Sequence, residues 1–190
     1  HGASALDLAR IAAAAMQNET FAEIVASRSA TAAGRTLVNH NKLLWLYDGV
    51  CGVKTGYTKS TGRSLVSCCE RGGVRLICVT LGAPDDWNDH MYLYDSVWNR
   101  YERRTVVRAG EVLARLPAVS AQVPAIPVRA AADVVVFAAP EEQTELCVHL
   151  PEFLYGGVPD GKIVGTVQVR IGDAEVGRTA LAVCSGVPQD

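Results

Sequence analysis

The 190-residue sequence contains 49% hydrophobic and 20% charged residues, and its formal net charge is −2. This composition is typical of a globular protein with packed cores, and the length allows one large domain or two small ones. The charge balance provides no basic patch for nucleic acid, so we exclude a nucleic-acid partner. The longest apolar run, 74–83, is strand-sized and interrupted by Arg75, so no segment is long enough to cross a bilayer.

The first predicted element is a helix that starts after Ser4 and runs to Met16. Ser4 is a favourable N-cap residue, and apolar side chains recur on one face of the helix at Leu8, Ile11, Ala12 and Ala15. Because the chain begins directly with this helix start, we expect no signal peptide in it. A second, shorter helix is predicted over 19–27, and Gly34 marks a turn after it.

Strands and one long helix are predicted next. Short extended segments are expected over 43–46 and 49–54, and the runs 63–70 and 74–81 form a hairpin around a glycine turn at 71–73. Aromatic and apolar residues then recur near helical spacing over 85–103, which predicts one amphipathic helix whose aromatic stripe faces a core. Asp85 and Asp86 precede this helix and favour its positive N-terminal end.

After residue 104 the sequence changes to short β-like runs separated by proline and glycine. Six strands are predicted, at 106–107, 112–116, 134–138, 145–150, 163–171 and 175–183. No helical pattern occurs here, and the spacing of the strands indicates a small β-sandwich. We therefore predict two domains, 1–105 and 106–190.

The cysteine and histidine patterns do not indicate a metal site or another cofactor. The six cysteines include no C-x-x-C pair, and the four histidines lack ligand spacing. We interpret Cys68 and Cys78 as small buried hydrophobic residues, although an oxidising compartment would allow disulfides whose pairs the sequence does not assign. Cys51 lies three residues before Lys54, but no base is paired with it, which disfavours a cysteine protease.

None of the histidines at positions 40, 90 and 149 is interpreted as a catalytic residue. His40 lies in a loop, where a solvated side chain is the favoured interpretation and a place at the rim of a site is the alternative. His90 and His149 are expected to be surface or packing residues.

The motif that carries chemistry is Lys54-Thr55-Gly56, which follows the strand-like run 49–53. K-T-G is one of three elements of penicillin-binding proteins and serine β-lactamases, beside an S-x-x-K nucleophile motif and an S-D-N element. Neither S-x-x-K nor S-x-N occurs in this sequence. The tripeptide alone is weak evidence, so the flanking residues must decide.

The flanking residues do resemble a known family. The segments 39–45, 52–58 and 62–66, together with the start at 1–9, resemble the low-molecular-mass D-alanyl-D-alanine carboxypeptidases, which are penicillin-binding serine peptidases. The resemblance is dense from His1 to Glu102 and loose afterwards. It implies an α+β fold: the C-terminal part of a transpeptidase-like domain, with helices on an antiparallel sheet, followed by a small all-β, sandwich-like domain.

The resemblance also implies roles for four residues. Lys54 is expected to act electrostatically beside the serine-lysine machinery, and Thr55 to anchor the substrate carboxylate. The backbone N–H of Tyr57 is expected to be one of two oxyanion donors, although many relatives carry histidine there. Gly56 is expected to lack a side chain because a Cβ would displace the ligand or a neighbouring helix.

The implied activity is removal of the terminal D-alanine from peptidoglycan stem peptides that end in D-Ala-D-Ala, through an acyl-enzyme that β-lactam antibiotics also form. Two alternatives remain open: a β-lactamase or endopeptidase on the same fold, and a non-catalytic cell-wall or penicillin-binding protein. The nucleophile is expected upstream of His1 or on a separate N-terminal fragment of the same protein. The implied location is the cell envelope outside the cytoplasm, with a membrane anchor in a segment absent here.

Overall fold

The structure is a computed structural model that describes residues 2–184; His1 and residues 185–190 lie outside the described part. The chain divides into two compact units, His1–Asn99 and Arg100–Asp190. The strand Glu102–Val107 pairs within the second unit, with Val134–Ala138. The domain boundary expected between residues 105 and 106 stays a prediction.

Over residues 2–99, which the structure describes, the first unit contains four helices and five strands. The helices are α1 (Ala5–Ala15), α2 (Glu19–Ala26), α3 (Leu43–Leu46) and α4 (Asp86–Trp98). The strands are β1 (Ser29–Ala32), β2 (Arg35–Val38), β3 (Val50–Thr58), β4 (Gly62–Arg71) and β5 (Val74–Leu81). The predicted cap of α1 is confirmed, because the Ser4 hydroxyl accepts from the Asp7 N–H at 3.2 Å and Asp7 Oδ2 accepts from the Ser4 N–H at 3.0 Å.

A three-stranded antiparallel sheet in the order β3-β4-β5 forms the centre of this unit. Side chains alternate between its faces, so Ser67 and Cys69 of β4 lie on the face that packs against Tyr94 of α4. The helices α1 and α2 pack against β5 and β3, respectively. The predicted hairpin of 63–70 and 74–81 is thereby confirmed as β4 and β5.

Two of the predicted elements were wrong. The run 43–46 forms the short helix α3 rather than a strand, because the Asn41 side chain accepts from the Leu43 N–H at 3.2 Å and starts a helical turn. The helix predicted over 85–103 ends at Trp98, since the chain from Glu102 pairs in a sheet. Tyr101 accordingly stacks against Phe137, with ring centroids 5.7 Å apart, instead of extending the aromatic stripe.

The hairpin of β1 and β2 was not predicted. Both strands have four residues, and all eight are exposed, so neither strand has a buried face that would mark it in the sequence. The turn between them uses positive φ angles at Ala33 and Gly34, 49° and 72°, as a two-residue hairpin turn requires.

The second unit is built from strands alone in its described residues. They are β6 (Glu102–Val107), β7 (Val112–Val119), β8 (Ala125–Ala130), β9 (Val134–Ala138), β10 (Glu145–His149), β11 (Leu154–Tyr155), β12 (Ile163–Ile171) and β13 (Ala174–Val183). A six-stranded sheet has the order β10-β12-β13-β8-β7-β11, and β6 pairs with β9 in a second sheet. Both sheets contribute to one apolar core, which includes Val107, Val136, Val167 and Leu181. This arrangement agrees with the sandwich-like fold that the sequence predicted.

The strand β8 was missed because Pro127 lies within it. Pro127 lies opposite Arg115 in the ladder with β7, whereas pairing between β8 and β13 ends at Val128 and Val183, so the missing N–H interrupts no further pair with β13. The 2-residue strand β11 was also missed. Within residues 2–184, no helix has the length and apolar character needed to cross a membrane.

A buried polar network joins the sheet of the first unit to α4. The Ser67 hydroxyl lies 2.6 Å from His90 Nδ1 and 2.6 Å from the Tyr94 hydroxyl, and His90 Nε2 lies 3.0 Å from the Thr80 hydroxyl. His90 is fully buried. Of the two roles expected for it, surface residue or packing residue, the structure shows the second. Every polar atom of the imidazole has a partner, as a buried ring requires.

We predict that Gly52→Ala destabilises the first unit. A Cβ at Gly52 would lie 2.7 Å from Val25 Cγ2 of α2, and the φ angle of +146° disfavours any side chain. The combined overlap and strain should lower the free energy of unfolding by about 2–4 kcal/mol. Gly72→Ala is the control, because Gly72 also has a positive φ, +55°, but nothing lies within 4 Å of its Cβ position. Gly72→Ala should lower the free energy of unfolding by about 1 kcal/mol. Urea titration of both variants measures the two losses, and equal losses would contradict the packing argument.

We also predict an acid-dependent loss of stability at His90. Burial lowers the pKa of His90 from 6.5 to about 4, and the nearby Asp86 carboxylate offsets part of that effect. Above pH 6.5 the ring is neutral in both states; between pH 6.5 and 4 only the unfolded chain takes up the proton. The free energy of unfolding should therefore fall by about 2–3 kcal/mol on acidification from pH 7 to 4.5, since one pKa unit corresponds to about 1.4 kcal/mol.

Urea unfolding of the wild type and of His90→Asn at both pH values measures this contribution. The variant should lose less stability on acidification than the wild type, because asparagine does not titrate. His40→Asn, at an exposed position, is the control and should follow the wild type. An identical pH dependence in all three proteins would show that other groups cause the acid sensitivity.

Candidate active site

One end of the sheet in the first unit opens into a cleft of about 620 Å³. Its walls come from the loop after β2, from α3, from β3 and β4, and from the start of α4. The lining residues are Val38, Asn39, His40, Lys42, Trp45, Lys54, Thr55, Gly56, Tyr57, Arg63, Asp86 and Trp87. The four residues singled out from the sequence, 54–57, therefore lie together on one wall of the cleft.

The K-T-G segment lies within β3 and not in a loop beyond it. Its register is set by β4, which places Lys54 opposite Val66 and Thr55 opposite Leu65. Lys54 is exposed, and its Nζ donates a hydrogen bond to the Thr55 carbonyl. Among residues 2–184 the Thr55 hydroxyl has no hydrogen-bond partner, so it is available to a bound molecule.

An ion pair that the sequence did not reveal also lines the cleft. Arg63 donates from Nε at 3.0 Å and from Nη2 at 2.8 Å to Asp86 Oδ1. Only 3% of the Asp86 side chain is exposed, whereas 39% of the Arg63 side chain is exposed. The guanidinium also lies 5.2 Å from the centre of the Trp87 ring. Asp86 thus holds the arginine in place as well as contributing charge near the helix start.

The charges that line the cleft favour an anionic ligand. Lys42, Lys54 and Arg63 contribute three cations, and Asp86 contributes one carboxylate that is already paired. A concave surface with an excess of one charge concentrates ligands of the opposite sign. A carboxylate is one such ligand, and the Thr55 hydroxyl is suited to donate a hydrogen bond to it.

Two asparagines hold the loop between β2 and α3 against β3. Asn41 is buried, and its Nδ2 donates to the Gly52 carbonyl at 2.9 Å. Asn39 Nδ2 donates to the Val25 carbonyl at 3.2 Å and to the Ser27 carbonyl at 3.0 Å. The loop that carries His40 and Lys42 is therefore fixed to both the sheet and α2.

The remaining expectations about single residues have different outcomes. His40 is exposed and also lines the cleft, so the two interpretations of it apply together. The side chain of Tyr57 is 70% exposed. A Cβ at Gly56 would meet only the Ser64 carbonyl oxygen at 3.8 Å, so no helix among the described residues explains that glycine. Cys51 does not contribute to the cleft lining.

Sequence reasoning missed Arg63, Asp86 and Trp87. The signal that would have found Arg63 is the hairpin of β3 and β4, whose turn at 59–61 places Arg63 opposite Tyr57. Asp86 was interpreted only through its effect on the helix start, since the sequence gives no partner 23 residues away. No group of three or more possible metal ligands occurs among the residues that the structure describes.

Comparison with known proteins finds a similarity in the first unit. Residues 1–85 match the model of the D-alanyl-D-alanine carboxypeptidase family. Over these residues the chain is similar to that family. DacB2 of Mycobacterium tuberculosis, a D-alanyl-D-alanine carboxypeptidase, is 38% identical over an alignment of 105 residues that covers 50% of this chain and 36% of the relative. DacF of Bacillus subtilis is 30% identical over an alignment of 124 residues that covers 61% of this chain and 32% of the relative.

Solved structures confirm the fold class. Penicillin-binding protein 3 from Streptococcus pneumoniae matches 98% of this chain with a TM-score of 0.75 and 22% identity. Penicillin-binding protein 5 from Haemophilus influenzae matches 98% with a TM-score of 0.65, also at 22% identity. At this identity the likeness establishes the fold alone. The chain corresponds to 57% of each of these two structures and to about a third of the length of DacB2 and DacF.

We predict that Asp86→Asn weakens the first unit, because it leaves the Arg63 guanidinium without its buried counter-charge. The free energy of unfolding should fall by about 1–3 kcal/mol, less than for a fully buried pair because Arg63 is partly solvated. Asp85→Asn is the matched control: Asp85 is exposed and its carboxylate accepts only from Asn88. The free energy of unfolding of that variant, measured by urea titration, should lie within about 0.5 kcal/mol of the wild-type value. Similar losses for both would argue for an effect of helix charge instead.

Proposed function

We propose that this chain supplies the K-T-G wall of the active site of a serine-type D-alanyl-D-alanine carboxypeptidase. The observation that carries the proposal is the placement of Lys54 and Thr55 on one cleft wall, within residues that match the family. The proposed substrate is a peptidoglycan stem peptide that ends in D-Ala-D-Ala, and β-lactam antibiotics would occupy the same cleft. The site would then operate outside the cytoplasm, in the cell envelope.

The reaction requires a serine that attacks the carbonyl between the two D-alanines. The serine, with its S-x-x-K lysine and the S-x-N element, would lie upstream or on a separate chain of the same protein, because this sequence contains neither motif. Attack breaks the peptide bond, releases the terminal D-alanine and leaves an acyl-enzyme that water hydrolyses.

The residues of this chain would bind the substrate and stabilise charge. The Thr55 hydroxyl donates to the terminal carboxylate, and the ammonium of Lys54 lowers the energy of the anionic tetrahedral intermediate. The Tyr57 N–H is proposed as one oxyanion donor, with the amide of the serine as the other. Gly56 leaves space beside the strand for the substrate backbone. Arg63, held by Asp86, adds positive charge to the cleft from the neighbouring strand β4.

An exposed apolar surface on α1 and α2 is an argument that a further segment of the same domain packs against them. Leu6 and Ile11 of α1 and Ile24 of α2 are 58%, 62% and 65% exposed, and Ile11 lines an open apolar groove with Phe21 and Leu81. An exposed apolar surface of this kind is uncommon on an isolated soluble domain. We propose that the serine-bearing segment covers it, and that the β-rich region 106–190 is a stalk or a partner-binding module, with any membrane anchor outside this chain.

We predict that Lys54→Gln slows acylation in the protein that combines this chain with the serine-bearing segment. The second-order rate constant for benzylpenicillin should fall about 100-fold or more, because a cation beside the developing oxyanion is lost. Intact-mass spectrometry under denaturing conditions measures the drug adduct over time. The adduct should appear on the serine-bearing segment and not within residues 1–190.

Lys59→Gln is the matched control, since Lys59 is an exposed lysine in the turn after β3 and does not line the cleft. It should acylate at the wild-type rate. Absence of an adduct on the wild-type assembly would favour a non-catalytic cell-wall protein. Rapid loss of the adduct would favour a β-lactamase, and equal rates for Lys54→Gln and the wild type would remove Lys54 from the mechanism.

A further inference from the structure

Two cysteines on neighbouring strands lie next to each other at the start of β3. Cys51 Sγ lies 3.0 Å from Cys68 Sγ of β4 and 3.5 Å from the Cys68 carbonyl oxygen. The register shifts between Val50 and Gly52, because Val50 pairs with Cys69 and Gly52 with Cys68. Cys51 is the extra residue of this bulge, which directs its sulfur toward the neighbouring strand.

The two thiols differ in accessibility. Cys51 is half-buried, whereas Cys68 is fully buried. A reagent in solution therefore reaches Cys51 first, and Cys68 lies directly behind it. No other pair of cysteine sulfurs among residues 2–184 lies within hydrogen-bond distance; Cys69 Sγ instead lies 3.6 Å from the Asp48 carbonyl oxygen.

We propose that Cys51 and Cys68 form a reversible disulfide that cross-links β3 to β4. The sulfurs need to approach by only about 1 Å to reach the bonded distance of about 2.05 Å. The cross-link closes the hairpin that carries Lys54 and Thr55, and it should stabilise that hairpin by restricting the unfolded chain. The proposal does not depend on the acyl-transfer function.

The oxidant would be a low-molecular-mass or protein disulfide, R–S–S–R. The Cys51 thiolate attacks one sulfur, forming a mixed disulfide and releasing R–S⁻, which takes up a proton. Cys68 then loses its proton and attacks Cys51 Sγ, which forms the protein disulfide and releases the second R–S⁻. The two cysteines lose two electrons and two protons, and R–S–S–R is reduced to two R–SH.

The electrostatic surroundings support this order of events. The hydrogen bond between the two sulfurs lowers the pKa of Cys51, burial partly opposes this, and the guanidinium of Arg75 lowers the pKa further while Glu70 raises it. The same interaction with Cys51 raises the pKa of Cys68, and burial adds a smaller increase. Cys51 therefore forms the thiolate first, and Cys68 acts second, as the resolving thiol.

The test is oxidation of the reduced 190-residue chain with glutathione disulfide at low protein concentration. Alkylation under denaturing conditions should label four cysteines instead of all six, and the intact mass should fall by two hydrogen atoms. A tryptic digest should contain peptide 43–54 linked to peptide 64–71. The unfolding temperature should rise, and dithiothreitol should reverse every change. Six labelled cysteines after oxidation would overturn the proposal.

Single variants identify the partner of Cys51, since Cys68 and Cys69 share one tryptic peptide. Cys68→Ala should retain one glutathione on Cys51 as a stable mixed disulfide, and Cys69→Ala should still lose two thiols. Cys51→Ser should retain all its thiols, and Cys147→Ser, at another half-buried position, should lose two. Loss of two thiols in Cys51→Ser would overturn the proposal. If Cys68→Ala does not fold, Cys51→Ser and the linked wild-type peptides still decide the outcome.

Discussion

The antiparallel pairing of β3 with β4 determines where most of the chemistry in the first unit is located. Its register places Thr55 opposite Leu65, whose fully buried side chain holds the middle of the hairpin. Two residues further along, Tyr57 lies opposite Arg63, which brings the guanidinium to the cleft that Lys54 also lines. A shift of one residue would turn every side chain of β3 to the other face and separate these groups.

Burial explains why the charged and the neutral polar groups of this unit are separated. Lys54 and Arg63 lie near the open end of the sheet, where water reaches them, and the carboxylate of Asp86 is buried only because Arg63 neutralises it. Between α4 and the sheet, the buried polar side chains Ser67, His90 and Tyr94 are uncharged and form hydrogen bonds with one another. A buried ionised group without a partner is costly, so this arrangement keeps the interior neutral near pH 7.

The sequence predicted the elements whose residues show a clear cap, a clear period or a bounded apolar run. The helix α1 has both a cap at Ser4 and an apolar face, and β9 and β12 match the predicted strands at both ends. It failed where a single side-chain contact or the order of the strands decides the local structure. Leu43–Leu46 is too short for its period to distinguish helix from strand, and the side chain of Asn41 makes it a helix. Pro127 similarly concealed β8, because only the strand order shows that it lies past the end of a ladder.

The same limit applies to the site. The K-T-G residues are adjacent in sequence, so their grouping needed no knowledge of the fold, whereas Arg63 and Asp86 meet only once β4 and α4 are packed together. The Cys51 and Cys68 sulfurs are a similar case, since they meet through a bulge that no spacing rule reveals. Pairs of this kind depend on register and packing rather than on a motif, so sequence patterns do not show them. The geometry of the hairpin, more than the composition of its motif, therefore determines which additional groups reach the cleft.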